Sequence, residues 1–214
     1  MNKSILKTLF LFLVVLLFQV DSSAQQRFKA GVIAGLNASQ IQNDDVGGYN
    51  RLRIQGGLRA IAIFTEKMDL NIELLYSQRG SYATDGSPVC FNGPLDITAN
   101  YIEIPVLWTL KDWLHETDDY YRIQASAGLS YGRLISASSI GSCHDGLADL
   151  FNKNDVSFTI GAEYFATEHF TIGFRWSRSL NLLYNRKKGE ELMPSRSENS
   201  LQGFFLSFRA GYIF

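Results

Sequence analysis

Alternation with a period of two, its charges confined to one parity, constrains this chain more than any other feature. The last stretch, residues 201–214, reads LQGFFLSFRAGYIF. Gln202, Phe204, Leu206, Phe208, Ala210, Tyr212 and Phe214 take its even positions, and Gly203, Ser207, Arg209 and Gly211 take odd ones beside Phe205 and Ile213. Successive side chains of a strand point to opposite faces, so one face is apolar and aromatic while the other is small or charged. A soluble barrel or sandwich shows its charges to water and hides its large residues. Lipid outside, a polar lumen inside and aromatics near the chain end belong instead to a strand of a membrane-spanning barrel.

Seven earlier segments repeat the pattern, at 28–40, 52–64, 69–79, 100–110, 119–134, 156–165 and 170–181. Within them Lys29, Arg53, Arg59, Glu73, Arg79, Glu103, Arg122, Glu163, Arg175 and, in the last stretch, Arg209 share the face that carries Gly, Ser, Asn and Gln. Turning a single Arg or Lys toward lipid at mid-bilayer costs about 2–4 kcal/mol. A one-residue slip would turn all of them, so the register is energetically pinned. Pro105 falls inside the fourth segment, where a missing N–H predicts a bulge or a local gap in pairing.

The connections alternate in length. Residues 42–51, 80–99, 135–155 and 185–200 are long and polar, whereas 65–68, 111–118 and 166–169 are compact. Long outer loops alternating with short periplasmic turns organise outer-membrane barrels. The expected fold is therefore all-β, an eight-stranded antiparallel up-and-down transmembrane β-barrel in the bacterial outer membrane. Both termini would be periplasmic and the long loops extracellular, with outer-membrane lipid and lipopolysaccharide as surroundings.

Residues 1–24 stand apart. Lys3 and Lys7 precede the apolar run LFLFLVVLLF at 9–18, and Ser22, Ser23 and Ala24 offer small residues for cleavage. That is the plan of a cleavable signal peptide, leaving 25–214 as the barrel domain. A net charge of −1 gives no electrostatic case for nucleic acid.

The strand segments IELLYSQRG (72–80), YIEIPVL (101–107) and RWSRSLNL (175–182) together resemble the PorT-like outer-membrane β-barrel family of the Bacteroidetes. The resemblance spans residues 28–214 and implies an eight-stranded outer-membrane barrel. It also implies a tie to gliding motility and type IX secretion, since the founding member is similar to a component of that apparatus. It brings no active site. Resemblance to bacterial outer-membrane barrels further implies that Tyr212 and Phe214 form a signal read by the barrel-assembly machinery.

Eight strands enclose an interior that side chains just fill. Arg53, Arg59, Arg79, Arg122, Arg175 and Arg209 are thus expected to pair with Glu73, Glu103 and Glu163 across the lumen rather than to line an open pore. Unpaired buried charge is costly, and hydrogen-bonded Arg–carboxylate pairs are tolerable. Cys90 and Cys143 lie in two long connections of an exported chain, so a disulfide is expected, with two free thiols as the alternative. His144 beside Asp145 is the one candidate for an enzymatic site on the outer side. His115 and His169 fall in short turns. With no phosphate-binding glycine loop, metal-spaced His/Cys set or paired catalytic carboxylates in the sequence, the reading is a non-enzyme without cofactors. A soluble ligand-binding barrel would need the opposite placement of charge.

Overall fold

The computed structural model describes residues 27–42, 51–83, 95–115, 119–140, 152–181 and 202–214. The proposed signal peptide, Cys90, Cys143, His144 and Asp145 lie outside the described residues.

Eight strands close into a barrel in sequence order: β1 (Phe28–Gln42), β2 (Arg51–Thr65), β3 (Met68–Ala83), β4 (Leu95–His115), β5 (Tyr120–Ile140), β6 (Asn154–Phe165), β7 (Phe170–Ser179) and β8 (Gln202–Ile213). Each is antiparallel to its neighbours, and β8 closes onto β1 from Gly31↔Ile213 to Gln42↔Gln202. The Phe214 amide continues that closure by donating to the Ala30 carbonyl at 2.8 Å.

The outer face carries the alternate apolar residues. Leu36, Leu58, Leu74, Val106, Leu129, Ile160, Phe174 and Phe208 are all exposed to the medium around the barrel. The inner face is buried and mostly polar, with Asn37, Ser77, Thr109, Thr159, Ser177 and Ser207 among its members. A few apolar residues share that inner parity. Ile61, Phe165 and Ile213 are buried together, with Ile63 and Tyr120 packed against them, at the end bearing the short turns.

Three strands reach furthest beyond the segments expected from alternation. β3 runs on to Ala83, β4 begins at Leu95 and ends at His115, and β5 continues to Ile140. Residues 80–83, 95–99, 111–115, 135–140 and 154–155, inside stretches that read as polar connections, are therefore strand. The β2–β3 ladder stops at Gln55↔Ser77 and the β5–β6 ladder at Arg133↔Asn154, but β3–β4 continues to Ala83↔Leu95 and β4–β5 to Asp96↔Ile140. A three-stranded sheet consequently projects past the barrel wall at the long-loop end. The backbone groups of these strand ends still pair beyond the segments expected from alternation.

Pro105 leaves a gap and not a bulge toward β3. The register passes from Ile72↔Val106 to Leu75↔Glu103 without a shift, skipping the rungs between. A shift occurs elsewhere, at Asn100/Tyr101 against β5.

Candidate functional site

Among the described residues most of the buried charge in the lumen falls into two clusters, with Asp69 apart on Lys111. The first joins β2, β3, β6, β7 and β8. Glu73 on β3, its side chain fully enclosed, accepts from the guanidinium groups of three arginines. Arg175 Nη1 and Nη2 reach its Oε2 and Oε1 at 2.8 and 3.0 Å. Arg209 Nη2 donates to Oε1 at 2.6 Å and Nη1 to Oε2 at 3.2 Å. Arg59 Nε donates to Oε1 at 3.0 Å. The remaining face of the Arg59 fork meets Glu163 in a bidentate pair at 2.8 and 2.6 Å. Arg209 also lies 2.8 Å from Glu163, and Gln124 Nε2 donates to it at 3.3 Å. The planar, bidentate fork of arginine suits this sharing.

The second cluster sits nearer the long-loop end. Arg79 donates through Nε to Glu103 at 2.9 Å and through Nη1 to Asp155 at 2.5 Å. Its guanidinium is stacked between two rings, 4.0 Å from the Phe205 centroid and 4.8 Å from that of Tyr101. Ser157 Oγ donates to Asp155 Oδ2 at 2.9 Å. With three arginines on two glutamates, the first cluster carries one surplus positive charge. One arginine on two carboxylates leaves the second with one surplus negative charge. Together they are neutral, which suits an interior that tolerates paired charge only.

Asn37 holds the wall near these clusters. Its Nδ2 donates to Ser77 Oγ at 2.9 Å and to the Gln78 carbonyl at 3.0 Å, and its Oδ1 accepts from Ser207 Oγ at 2.7 Å. It thereby links β1 directly to β3, past β2. Gly57 on the intervening β2 lets β2 and β3 pack closely, because a Cβ there would collide with the Leu74 carbonyl oxygen.

Two arginines of the expected network lie elsewhere. Arg53 donates to Thr98 Oγ1 toward the long-loop end. Arg122 lies at the short-turn end, its guanidinium 5.8 Å from the Trp113 ring, outside both clusters. Trp113 and Asp119 both have positive φ (60° and 53°), which twists this end of the β4–β5 hairpin out of regular strand geometry. Asp155 was missing from the expected set because it closes a polar stretch that reads as loop. Its odd number, shared with Ser157 and Thr159, was the available signal.

Tyr212 and Phe214 are both exposed on the outer face, their rings edge to face with centroids 5.7 Å apart. His169 stacks on Tyr212 from the β6–β7 turn and its Nδ1 lies 2.8 Å from the Ile213 carbonyl. Among the described residues no group of three or more His, Cys, Asp or Glu is placed to hold a metal ion.

No curated protein matches this sequence. Solved structures of similar shape include Ail, the attachment invasion locus protein of Yersinia pestis (11% identity, 87% of this chain and 98% of that one, TM-score 0.47). Neisserial surface protein A is another (12% identity, 87% and 97% covered, TM-score 0.48). The outer membrane protein OprG of Pseudomonas aeruginosa is a third (12% identity, 87% and 94% covered, TM-score 0.41). The family model described as "Outer membrane protein beta-barrel domain" matches residues 19–185, well over half of the 214. The chain therefore belongs to the outer membrane protein beta-barrel domain family, as a small, integral, eight-stranded barrel of the outer membrane.

Proposed function

We propose that this barrel is a structural or interaction module of the outer membrane, working through the surfaces at its two ends, with a lumen that conducts nothing. The observation that carries this reading is the obstructed interior. Any ion passing through would meet the Ile61–Phe165–Ile213 cluster, then Glu73 and Glu163 with their arginines, then Arg79 between two rings. Opening such a path means separating paired, buried charges, each break costing about 3–5 kcal/mol. The projecting β3–β4–β5 sheet supports an interaction role, since it extends paired backbone past the closed ring, which the barrel itself does not need.

In this reading the short turns and both termini face the periplasm. The long connections, with the projecting sheet, face outward among lipopolysaccharide. The barrel-assembly machinery handles the chain through its last strand. The resemblance of IELLYSQRG, YIEIPVL and RWSRSLNL to PorT-like barrels supports assigning the interaction to secretion or motility.

Two measurements test it. Purified protein in planar lipid bilayers is expected to give no conductance steps at neutral pH, and stable steps would overturn the sealed-lumen reading. A deletion strain, complemented by the wild-type chain, is expected to lose gliding or secreted cargo. Unchanged motility and secretion would remove the PorT-like assignment and leave the barrel's structural role standing.

A further inference from the structure

We infer that the short-turn mouth of the barrel is a binding site for a small organic cation with an apolar body. A cavity of about 310 Å³ opens there, between the β2–β3 and β6–β7 turns and the adjoining ends of β4 and β5. Its size is at the lower limit of small-molecule pockets, which run to roughly 300–1,000 Å³. The floor is the buried cluster of Ile61, Phe165 and Ile213, so the deep part favours hydrocarbon or an aromatic ring. Tyr120 and Tyr121 stand beside it.

The charges on the walls decide the sign of the head group. Lys29 and Lys111 are outnumbered by Glu66, Asp69, Asp119 and Glu168. Lys111 is committed to Asp69 at 3.1 Å, and Lys29 lies 3.7 Å from Glu168. Glu66 and Asp119 remain as the surplus, on the turns that frame the opening. An anion entering this mouth faces a net charge of −2 from these six groups, whereas a cation is drawn in. The Lys111 ammonium also shows what the walls accept, since it rests between the Asp69 carboxylate and the Tyr121 ring, 5.8 Å from the ring centroid. An incoming ammonium finds the same two kinds of partner in Asp119 and Tyr120.

Three probes of one shape separate charge from fit: 2-phenylethylammonium, 2-phenylethanol and phenylacetate. Each is titrated calorimetrically into the detergent-solubilised barrel, with empty micelles as the blank. The ammonium is expected to saturate a single site at least tenfold more tightly than the alcohol, and phenylacetate to give no saturable heat. The double variant Glu66→Gln/Asp119→Asn changes two exposed turn residues, and Asn tolerates the positive φ at 119. It should lose that tenfold preference while keeping the alcohol's affinity. Ile63→Trp, which fills the cavity from its half-buried flank, should abolish binding of both. Heat-modifiable migration on gels confirms that each variant is folded. Equal binding of ammonium and alcohol, preference for phenylacetate, no saturable ammonium binding, or a preference that survives the double variant would each overturn the inference.

Discussion

Glu73 carries more of the cross-section than any other single side chain. Three guanidinium groups converge on its two oxygens, and its own side chain has no access to solvent. Glu73→Gln keeps the shape and removes the charge, leaving Arg175 without a carboxylate among its described contacts. Breaking a buried pair by removing one partner costs about 3–5 kcal/mol. Urea unfolding in lipid vesicles, followed by tryptophan fluorescence, is expected to show a loss of that order. Lys29→Met, at a half-exposed pair 3.7 Å long, is expected to lose no more than about 1 kcal/mol. Equal losses in the two variants would contradict the central role of Glu73. Parity in the sequence places Glu73, Arg59 and Arg175 on one face. Which arginine meets which glutamate depends on the stagger between strands far apart in sequence, and residue spacing carries no record of that. Asp155 shows the second limit, since turn-rich surroundings outweighed its matching parity.

Among the elements, β8 closes the ring onto β1, and the residue that follows it is loosely packed. Phe214 is 65% exposed and holds on by its backbone bond to Ala30 and an edge contact with Tyr212. Burying a Phe side chain contributes about 1.5–3 kcal/mol at most, and lipid already covers this one. Deleting Phe214 is therefore expected to lower the amount of protein that reaches the outer membrane, while the refolded variant melts near the wild-type temperature in detergent. Normal insertion combined with a large loss of thermal stability would show a packing role instead. The ends of β3, β4 and β5 were the least legible parts of the fold. Apolar alternation records where lipid touches the wall, so it falls silent at residues 136–140 although their pairing with β4 continues. Conversely, Trp113 and Asp119 break the pattern by backbone conformation, which no hydrophobic period reports.

For the whole molecule, orientation is the property with the widest consequences. The proposed arrangement sets the turns at Glu66 and Glu168 in the periplasm and the projecting sheet outside. Single cysteines at position 66 or 168, in a chain whose Cys90 and Cys143 are replaced by Ser, are expected to resist a membrane-impermeant maleimide in intact cells and to react after lysis. A cysteine at position 136, on the projecting part of β5, is expected to react in both. The opposite labelling would invert the molecule and turn the cation-binding mouth toward the cell exterior.

The first charge cluster also has an order in time. Arg175 and Arg209, two of the three partners of Glu73, stand on β7 and β8, the last strands made. A chain that has delivered only β1 to β6 holds Arg59 alone against Glu73 and Glu163, one cation for two acids. The partial barrel is therefore acidic at its centre and disfavours burial of that surface in lipid. Arrival of β7 and then β8 changes the local balance from one excess negative charge to one excess positive charge. Closure of the ring and neutralisation of the buried acids thus become a single late event, and an unfinished barrel gains little by entering the bilayer early.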